Sequence, residues 1–161
     1  MRLDEIYDEV GEKIYHYLTI KLGSPLDAED VLQEVFYRLT RYSLRLQFVR
    51  NVQSFVFKIA RNEANRFLIN TIRNRKISQR KAELHEVIKS VISGPNGEDE
   101  DAVSKAMAQL PKDQCEVIVL KFFEELTFKE ISEVCEISIH TAASRYRYAM
   151  KKLQSILGGE S

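Results

Sequence analysis

Turn-forming residues are rare in this chain, and their scarcity limits the fold more than any single motif does. The 161 residues include 6 glycines and 3 prolines, too few to separate many short strands. Apolar residues instead recur at spacings of three and four over long stretches, which is the period of an amphipathic helix. The sequence therefore predicts an all-α protein.

Charge is distributed in blocks, although the formal net charge of the whole chain is zero. Residues 1–37 carry a net charge of −6, 38–81 carry +11, 82–136 carry −8 and 137–161 carry +3. In the second block the only acidic residue is Glu63. Such a concentration of basic side chains is typical of a surface that binds phosphates. The alternative is a charged face that contacts only solvent.

A linker is predicted at residues 93–101, where turn formers precede an acidic run that has no apolar periodicity. It divides the chain into two small helical domains, residues 1–92 and 102–161, joined by a flexible linker. No apolar run reaches the ~18 residues that a membrane span needs, and the N-terminus does not resemble a signal peptide, so we expect a cytoplasmic protein. Cys115 and Cys135 suit no disulfide framework or CxxC motif and are expected to be reduced core residues.

Catalytic motifs are absent from the sequence. It contains no nucleotide-binding glycine pattern, nucleophile elbow or HExxH motif, and His16, His85 and His140 are scattered along the chain. We therefore expect no enzymatic activity, no cofactor and no metal site.

Three helices are predicted in the first half, over residues 3–22, from Asp27 to about residue 42, and over residues 52–75. Asp27 is expected to cap the second helix. Opposite its apolar face, this helix carries an acidic face made up of Asp27, Asp30, Gln33 and Glu34.

The third helix has an outer face that mixes cations, amides and apolar groups. It consists of Phe55, Lys58, Ile59, Arg61, Asn62, Asn65, Arg66, Ile69 and Arg73. Aromatic and aliphatic groups among cations suit melted or single-stranded nucleic acid, because they can stack on or wedge beside bases while the cations hold the backbone. The alternative is that Phe55, Ile59 and Ile69 pack on other helices of the same domain.

A helix-turn-helix is predicted near the C-terminus, after helices near residues 99–109 and 112–123. Thr127 and Glu130 have the spacing of a capping box, residues 135–137 form a turn, and Ser138 caps a final basic helix. In this motif the second helix enters the DNA major groove. Its outward positions are His140, Thr141, Ala143, Ser144, Arg145, Arg147, Tyr148 and Lys151.

Two segments resemble one known family. Residues 27–36 (DAEDVLQEVF) and 55–62 (FVFKIARN) resemble region two of bacterial sigma factors of the extracytoplasmic-function group. Residues 110–131 and 144–149 (SRYRYA) are similar to region four of the same group. The two matches lie in the family's order, with the linker where the family has one.

This resemblance implies a sigma factor that binds core RNA polymerase, recognises the minus-thirty-five and minus-ten promoter elements and assists DNA melting. Its implied partners are the beta-prime clamp helices and the beta flap of the polymerase, promoter DNA and an anti-sigma factor. The residues matched to beta-prime docking are Asp27, Asp30, Gln33 and Glu34. Those matched to the minus-ten element, together with the loop over residues 43–52, are Asn51, Lys58, Arg61, Asn62, Asn65, Arg66 and Arg73. Those matched to the minus-thirty-five element are Thr141, Ser144, Arg145, Arg147 and Lys151.

The sequence departs from the family pattern at a few positions. Glu136 stands where a turn glycine is usual, Phe55 where tryptophan is frequent, and Arg66 where an acidic residue is frequent. Ala143 and Tyr148 replace basic residues, so the resemblance does not extend to a particular promoter sequence.

A stand-alone helix-turn-helix regulator of duplex DNA is the alternative function, although it leaves the first half without a task. The sigma-factor interpretation further requires that the basic faces of the two halves are not buried against carboxylates of the same chain.

Overall fold

The computed structural model describes residues 2–72, 80–92 and 97–158, and within these residues it contains helices and no strand. The first half forms α1 (Leu3–Leu22), α2 (Pro25–Arg41), α3 (Val52–Ile72) and α4 (Arg80–Ile92). The second half forms α5 (Gly97–Ala108), α6 (Lys112–Ile118), α7 (Phe128–Cys135) and α8 (Ile139–Leu157). A 3-10 turn covers Leu46–Phe48, and α6 continues into a π-helical turn over Val119–Phe123. The all-α prediction is confirmed.

The junction between α1 and α2 is formed by three consecutive residues. Gly23 adopts the left-handed conformation (φ 71°) and donates its N–H to the carbonyl of Thr19 at 2.9 Å. The Ser24 Oγ then accepts the amide of Asp27 at 3.3 Å, and Pro25 opens the helix. The prediction that Asp27 caps α2 is therefore wrong, because Ser24 caps it and Pro25 presets the backbone one turn earlier.

The helix-turn-helix forms as predicted. Thr127 and Glu130 make the reciprocal bonds of a capping box, at 3.1 and 2.9 Å. Glu136 ends α7 in the left-handed conformation, with φ 57°, a backbone conformation that favours glycine. The Ser138 Oγ accepts the amide of Thr141 at 3.0 Å and so begins α8.

The sequence analysis assigned no helix to the segment that forms α4. Its apolar residues Leu84, Ile88 and Val91 have helical spacing, and Ile88 is fully buried. Asp101 of α5 pairs with Lys89 of α4 and with Lys105 of its own helix, both at 3.2 Å, and these two lysines lower its pKa to about 2. Asp101 was predicted to end the linker, but α5 already begins at Gly97.

The two halves pack against each other and share one buried apolar cluster. Tyr17 of α1 and Phe57 of α3 contact edge to face, with ring centroids 5.6 Å apart. Leu120 and Ile131 from the second half belong to the same cluster, and α3 lies against α7. The first half therefore presents part of its basic helix to the second half.

Glu124 is a buried carboxyl at the end of the π-helical turn, and we expect it to make stability depend on pH. Burial raises its pKa to about 7 from 4.5, the repulsion of Glu12 and Glu125 adds to this, and Lys13 opposes it. The folded chain thus holds a proton that the unfolded chain has released, so the free energy of unfolding falls as pH rises from about 4.5 to 7.

Replacing Glu124 by glutamine removes this penalty. At pH 8 we expect the melting temperature of E124Q to exceed that of the wild type by about 2–6 °C, and near pH 4 the two should coincide. Scanning fluorimetry across pH measures the difference, with exposed Glu9→Gln as the control. An equal shift at both pH values would contradict a titration at Glu124.

Candidate protein and nucleic-acid interfaces

The acidic face predicted on the second helix is present on α2. Asp30, Gln33 and Glu34 are exposed, while Asp27, in the first turn, is half-buried. Glu34 lies 3.4 Å from Arg38, which also pairs with the buried Glu63 of α3. The carboxylates therefore project from a helix whose orientation on α3 is fixed by an ion pair.

Beside this face, α1 and α2 form an aromatic groove. Tyr7 packs edge to face on Phe36, with ring centroids 5.0 Å apart, and Leu32 and Tyr37 complete the groove. Tyr7 and Tyr37 remain more than half exposed. Exposed aromatic residues next to polar ones are typical of protein interfaces. The sequence analysis did not select this groove, although the aromatic residues at positions 36 and 37 adjoin the acidic motif.

The mixed face of α3 divides into two parts in the structure. Asn62 and Arg66 are exposed and Asn65 is half-buried, and Arg66 lies 3.4 Å from Glu63 of its own helix. Ile69 is also exposed, whereas Phe55 packs on Tyr42, and Ile59 packs against the core. Arg73 lies outside the described residues.

The other part of this face bonds to the second half of the chain. Asn51 donates to Glu130 at 2.9 Å, and Lys58 lies 3.3 Å from Glu136. Arg61 donates to Glu116 at 3.1 Å. The expectation that the basic face is not buried against carboxylates is therefore wrong at Arg61, which is 21% exposed beside the buried Glu116, whereas Asn51 is exposed and Lys58 is 44% exposed.

Glu116 of α6 is the centre of the contact between the halves. Its carboxylate accepts hydrogen bonds from the Tyr17 hydroxyl at 2.6 Å and the Lys21 Nζ at 2.8 Å, in addition to the bond from Arg61. The Cys135 Sγ lies 3.7 Å away. Glu116 is buried, so one carboxylate of the second half is enclosed by three donors of the first.

The electrostatics of this cluster favour an ionised Glu116. Burial opposes its charge, but Lys21 and Arg61 outweigh the burial and lower the pKa of Glu116. Burial and the adjacent carboxylate raise the pKa of Tyr17 well above 10 and that of Cys135 to about 12. Tyr17 is thus a neutral donor and Cys135 a thiol, as expected for a reduced core cysteine. Glu116 was not predicted as a functional residue. In the sequence it is a single acidic residue within an apolar stretch, which could have indicated a buried charge.

The outward side of α8 carries the residues predicted to contact duplex DNA. Arg147 and Lys151 are exposed, and Thr141 and Ser144 are half-buried. Arg147 donates to the Ser144 Oγ at 3.2 Å, and Arg145 lies 3.5 Å from Asp113 of α6. The five predicted residues are therefore on one helix, with Arg145 engaged by a surface carboxylate.

The loop between α2 and α3 presents two apolar side chains to solvent. Leu44 and Phe48 are 80% and 81% exposed, more than any other large apolar residue in the described part of the chain. The sequence analysis selected the loop but not these residues. In the sequence, the position of the aromatic Phe48 between Arg45 and Arg50 could have indicated that the loop presents an apolar side chain near cations.

Among the described residues, no group of three histidine, cysteine or acidic side chains is arranged to hold a metal ion. No helix formed by these residues is both long and apolar enough to cross a bilayer.

An acidic helix face on one helical half and a helix-turn-helix on the other define a DNA-binding protein that also docks on a protein partner. Comparison with family models matches residues 6–76 to Sigma-70 region 2 and residues 100–153 to Sigma-70, region 4. The chain belongs to the extracytoplasmic-function group of the sigma-70 family.

Sequence relatives agree with this assignment along nearly the whole chain. The sigma factor SigZ of Bacillus subtilis is 24% identical over 99% of this chain and 89% of its own length. SigW, an ECF sigma factor of the same organism, is 28% identical over 95% of this chain and 87% of its own length.

Solved structures share the fold. CnrH, in complex with the cytosolic domain of CnrY, has a TM-score of 0.68 at 20% identity, covering 99% of this chain and 89% of that one. The sigma factor RpoE of Bartonella quintana, in complex with the anti-sigma factor NepR, has a TM-score of 0.66 at 21% identity, covering 98% and 99%. This protein is thus a sigma factor, which binds core RNA polymerase and directs initiation at promoters.

Proposed function

We propose that the acidic face and the aromatic groove beside it form the surface that docks on core polymerase. Asp30, Gln33 and Glu34 supply the negative charge that steers a basic partner, and Tyr7 and Tyr37 supply apolar contact area. Asp27 is assigned to the edge of the surface. The beta-prime clamp helices are the proposed partner, and the beta flap is proposed to bind the second half.

The upstream promoter element is assigned to α8. Arg145 and Arg147 can each bond guanine in two places, while Thr141, Ser144 and Lys151 reach neighbouring bases or phosphates. In the free chain Arg145 lies beside Asp113, so DNA must compete with that carboxylate. The pair is half exposed and contributes little to stability, which favours its exchange for a base contact.

The downstream element is assigned to α3 and to the loop before it. Asn62, Asn65 and Arg66 are proposed to contact the unpaired strand, and Phe48 offers a face for stacking on a base. The same surface is proposed to include Asn51, Lys58 and Arg61. Arg73 is also assigned to this element, although it lies outside the described residues.

The remaining assignments follow from the family. Residues 1–92 are assigned to the region-two domain, 93–101 to the connection between the domains, in which α5 begins at Gly97, and 102–161 to the region-four domain. The protein acts in the cytoplasm and has no catalytic site of its own. An anti-sigma factor is a further proposed partner, because the solved relative RpoE is in complex with the anti-sigma factor NepR.

The observation that supports this proposal best is that one chain carries two separate surfaces of opposite charge, an acidic one on α2 and a basic one on α8. Reconstitution tests it. With bacterial core polymerase, the protein should start transcription at defined sites on genomic fragments, whereas the protein alone should not bind a promoter duplex tightly in a gel shift. Tight, specific binding without polymerase would favour a stand-alone regulator.

Removing Arg145 and Arg147 should reduce discrimination for the upstream element. Each good bidentate contact is worth about 1–3 kcal/mol, so R145A/R147A should lose at least tenfold in the ratio of transcription from intact to scrambled upstream templates. The control K105A/K112A removes two cations from α5 and α6 and should keep the ratio. If both variants lower it equally, α8 does not read this element.

A further inference from the structure

An apolar cavity of about 390 Å³ lies where the two halves of the chain meet. Helices α1, α3 and α4 form its wall on the side of the first half. The segment from the end of α5 to the π-helical turn forms the wall on the side of the second half. The aliphatic side chains of the wall include Ile20, Leu22, Leu68, Leu84, Leu110 and Val119.

A void of this size is unusual in a protein interior. Protein cores are packed so closely that few voids exceed the size of a water molecule, and an empty apolar cavity costs stability. Water does not fill such a space well, because a buried water molecule needs several polar partners. Small ligands, in contrast, bind in mostly apolar cavities of about 300–1,000 Å³, which often lie between domains. The volume, the lining and the position of the cavity therefore fit a small apolar ligand.

The charged groups at the cavity determine which head group such a ligand can carry. Two lysines, Lys21 and Lys112, line the cavity together with one carboxylate, Glu116, so the lining has an excess of one positive charge. Glu116 is already bonded to Lys21, at 2.8 Å, and to Arg61. Lys112 is exposed and forms no ion pair with any residue in the described part of the chain. A cation without a counter-ion thus lies at the rim of the cavity, and it favours an anionic head group.

The remaining polar side chains of the wall add no charge. Tyr17 donates its hydroxyl to Glu116 at 2.6 Å, which leaves the ring of Tyr17 to contact a ligand. Burial raises the pKa of Cys115 to about 12, so its side chain is a neutral thiol that behaves as a small apolar group. The interior of the cavity is therefore apolar, and its free cation is at the rim.

We propose that this cavity binds a medium-chain aliphatic carboxylate. The hydrocarbon tail lies among the aliphatic side chains of both halves, and the carboxylate lies beside Lys112. This inference is independent of the surfaces assigned to core polymerase and to DNA.

A ligand in this position contacts both halves at the same time. It therefore binds the packed arrangement of the halves more tightly than a chain whose halves are apart, in which only part of the wall remains. A ligand that binds one state of a protein stabilises that state by mass action. The carboxylate should thus raise the melting temperature and strengthen the contact between the halves.

Isothermal titration calorimetry of the full-length chain with octanoate tests the proposal. The variant Ala108→Leu enlarges a side chain of the cavity wall at the end of α5, and the control Ala102→Leu makes the same change at an exposed position of the same helix. The variant Lys112→Gln removes the cation at the rim, and Lys129→Gln removes an exposed cation of α7 as its control. Hexanoate and 1-octanol are the comparison ligands, the first with a shorter tail and the second without the charge.

We expect octanoate to bind the wild type and to raise its melting temperature. Each methylene buried between hexanoate and octanoate should increase the affinity about fourfold. A108L should weaken octanoate binding about tenfold or more, because the added side chain occupies the space of the tail. Its melting temperature without ligand should equal or exceed that of the wild type, since the substitution fills a void.

The head group gives a second, independent measurement. In K112Q the affinity for octanoate should fall about threefold to fivefold, to the value for 1-octanol, while the affinity for 1-octanol stays unchanged. A102L and K129Q should each change octanoate binding by less than about twofold. Because Lys112 is exposed, this arm does not depend on the folding of A108L.

Three outcomes would overturn the proposal. The first is the absence of octanoate binding to the wild type. The second is an equal loss of binding in A108L and A102L, which would place the ligand elsewhere. The third is equal binding of octanoate and 1-octanol to the wild type, which would show that the cavity does not select a carboxylate.

Discussion

Replacing Glu116 by alanine is expected to lower the free energy of unfolding by about 3–5 kcal/mol, a large fraction of the stability of a small protein. The substitution leaves Lys21 and Arg61 without the carboxylate that compensates their partial burial, and the Tyr17 hydroxyl loses its acceptor. Urea denaturation followed by circular dichroism and by tyrosine fluorescence measures the change, since the chain has 7 tyrosines and no tryptophan.

Two further variants test whether the loss of stability comes from the charge of Glu116. Glu116→Gln keeps an acceptor for Tyr17 but not the charge, so it should lie between the wild type and E116A. Exposed Glu9→Ala should change stability by less than about 0.5 kcal/mol. A loss in E116A no larger than in E9A would contradict the central role of this carboxylate.

The same carboxylate should contribute to acid sensitivity. Because the folded state lowers the pKa of Glu116, its contribution is present above the unfolded value near 4.5 and is lost as pH falls through the folded value. The stability difference between wild type and E116Q should therefore shrink on acidification. Glu124 acts in the opposite direction, because its raised pKa weakens the fold as pH rises.

Reversing the charges of Asp30 and Glu34 is expected to weaken binding to core polymerase by at least tenfold. Both side chains are exposed on α2, and complementary charge across an interface both orients docking and excludes wrong partners. Titration of labelled sigma factor with core enzyme measures the dissociation constant. The wild-type affinity should also fall as salt is raised, because exposed charges are screened.

The control for D30K/E34K is E86K/E125K, which makes the same change of net charge at two exposed residues away from α2. It should assemble with core polymerase as the wild type does. Unchanged melting temperature in D30K/E34K would show that the loss is one of docking rather than folding. Wild-type assembly by D30K/E34K would remove α2 from the interface.

Much of the local structure could be predicted because its signals lie within a few residues of each other. The capping box of Thr127 and Glu130, the cap at Ser138 and the end of α1 at Gly23 each depend on contacts over three or four positions. The start of α2 was predicted three residues too late. Ser24 and Asp27 are both residue types that cap helices, and only the three-dimensional structure shows that Ser24 is the cap. The helix α4 was not predicted because its apolar pattern is short and lies between two polar segments.

The candidate sites were predicted in part. The acidic face of α2 and the outward side of α8 are where the pattern placed them, because a helical period alone determines which residues share a face. The pattern for α3 placed cations and amides on one side correctly, but it contained no information on what covers that side. The helical pattern could not predict that Leu44 and Phe48 are exposed either, because the exposure of a loop residue depends on the path of the whole loop.

The amino-acid sequence by itself determined the helical class, the family and which polar residues share a helix face on α2 and α8, because these depend on composition, period and short motifs. Only the tertiary structure decided that the halves close on each other. Glu116 meets Arg61 across 55 positions of the chain and Tyr17 across 99. Such pairs are selected by burial and by the balance between desolvation and ion pairing, and neither of these is a property of a local segment.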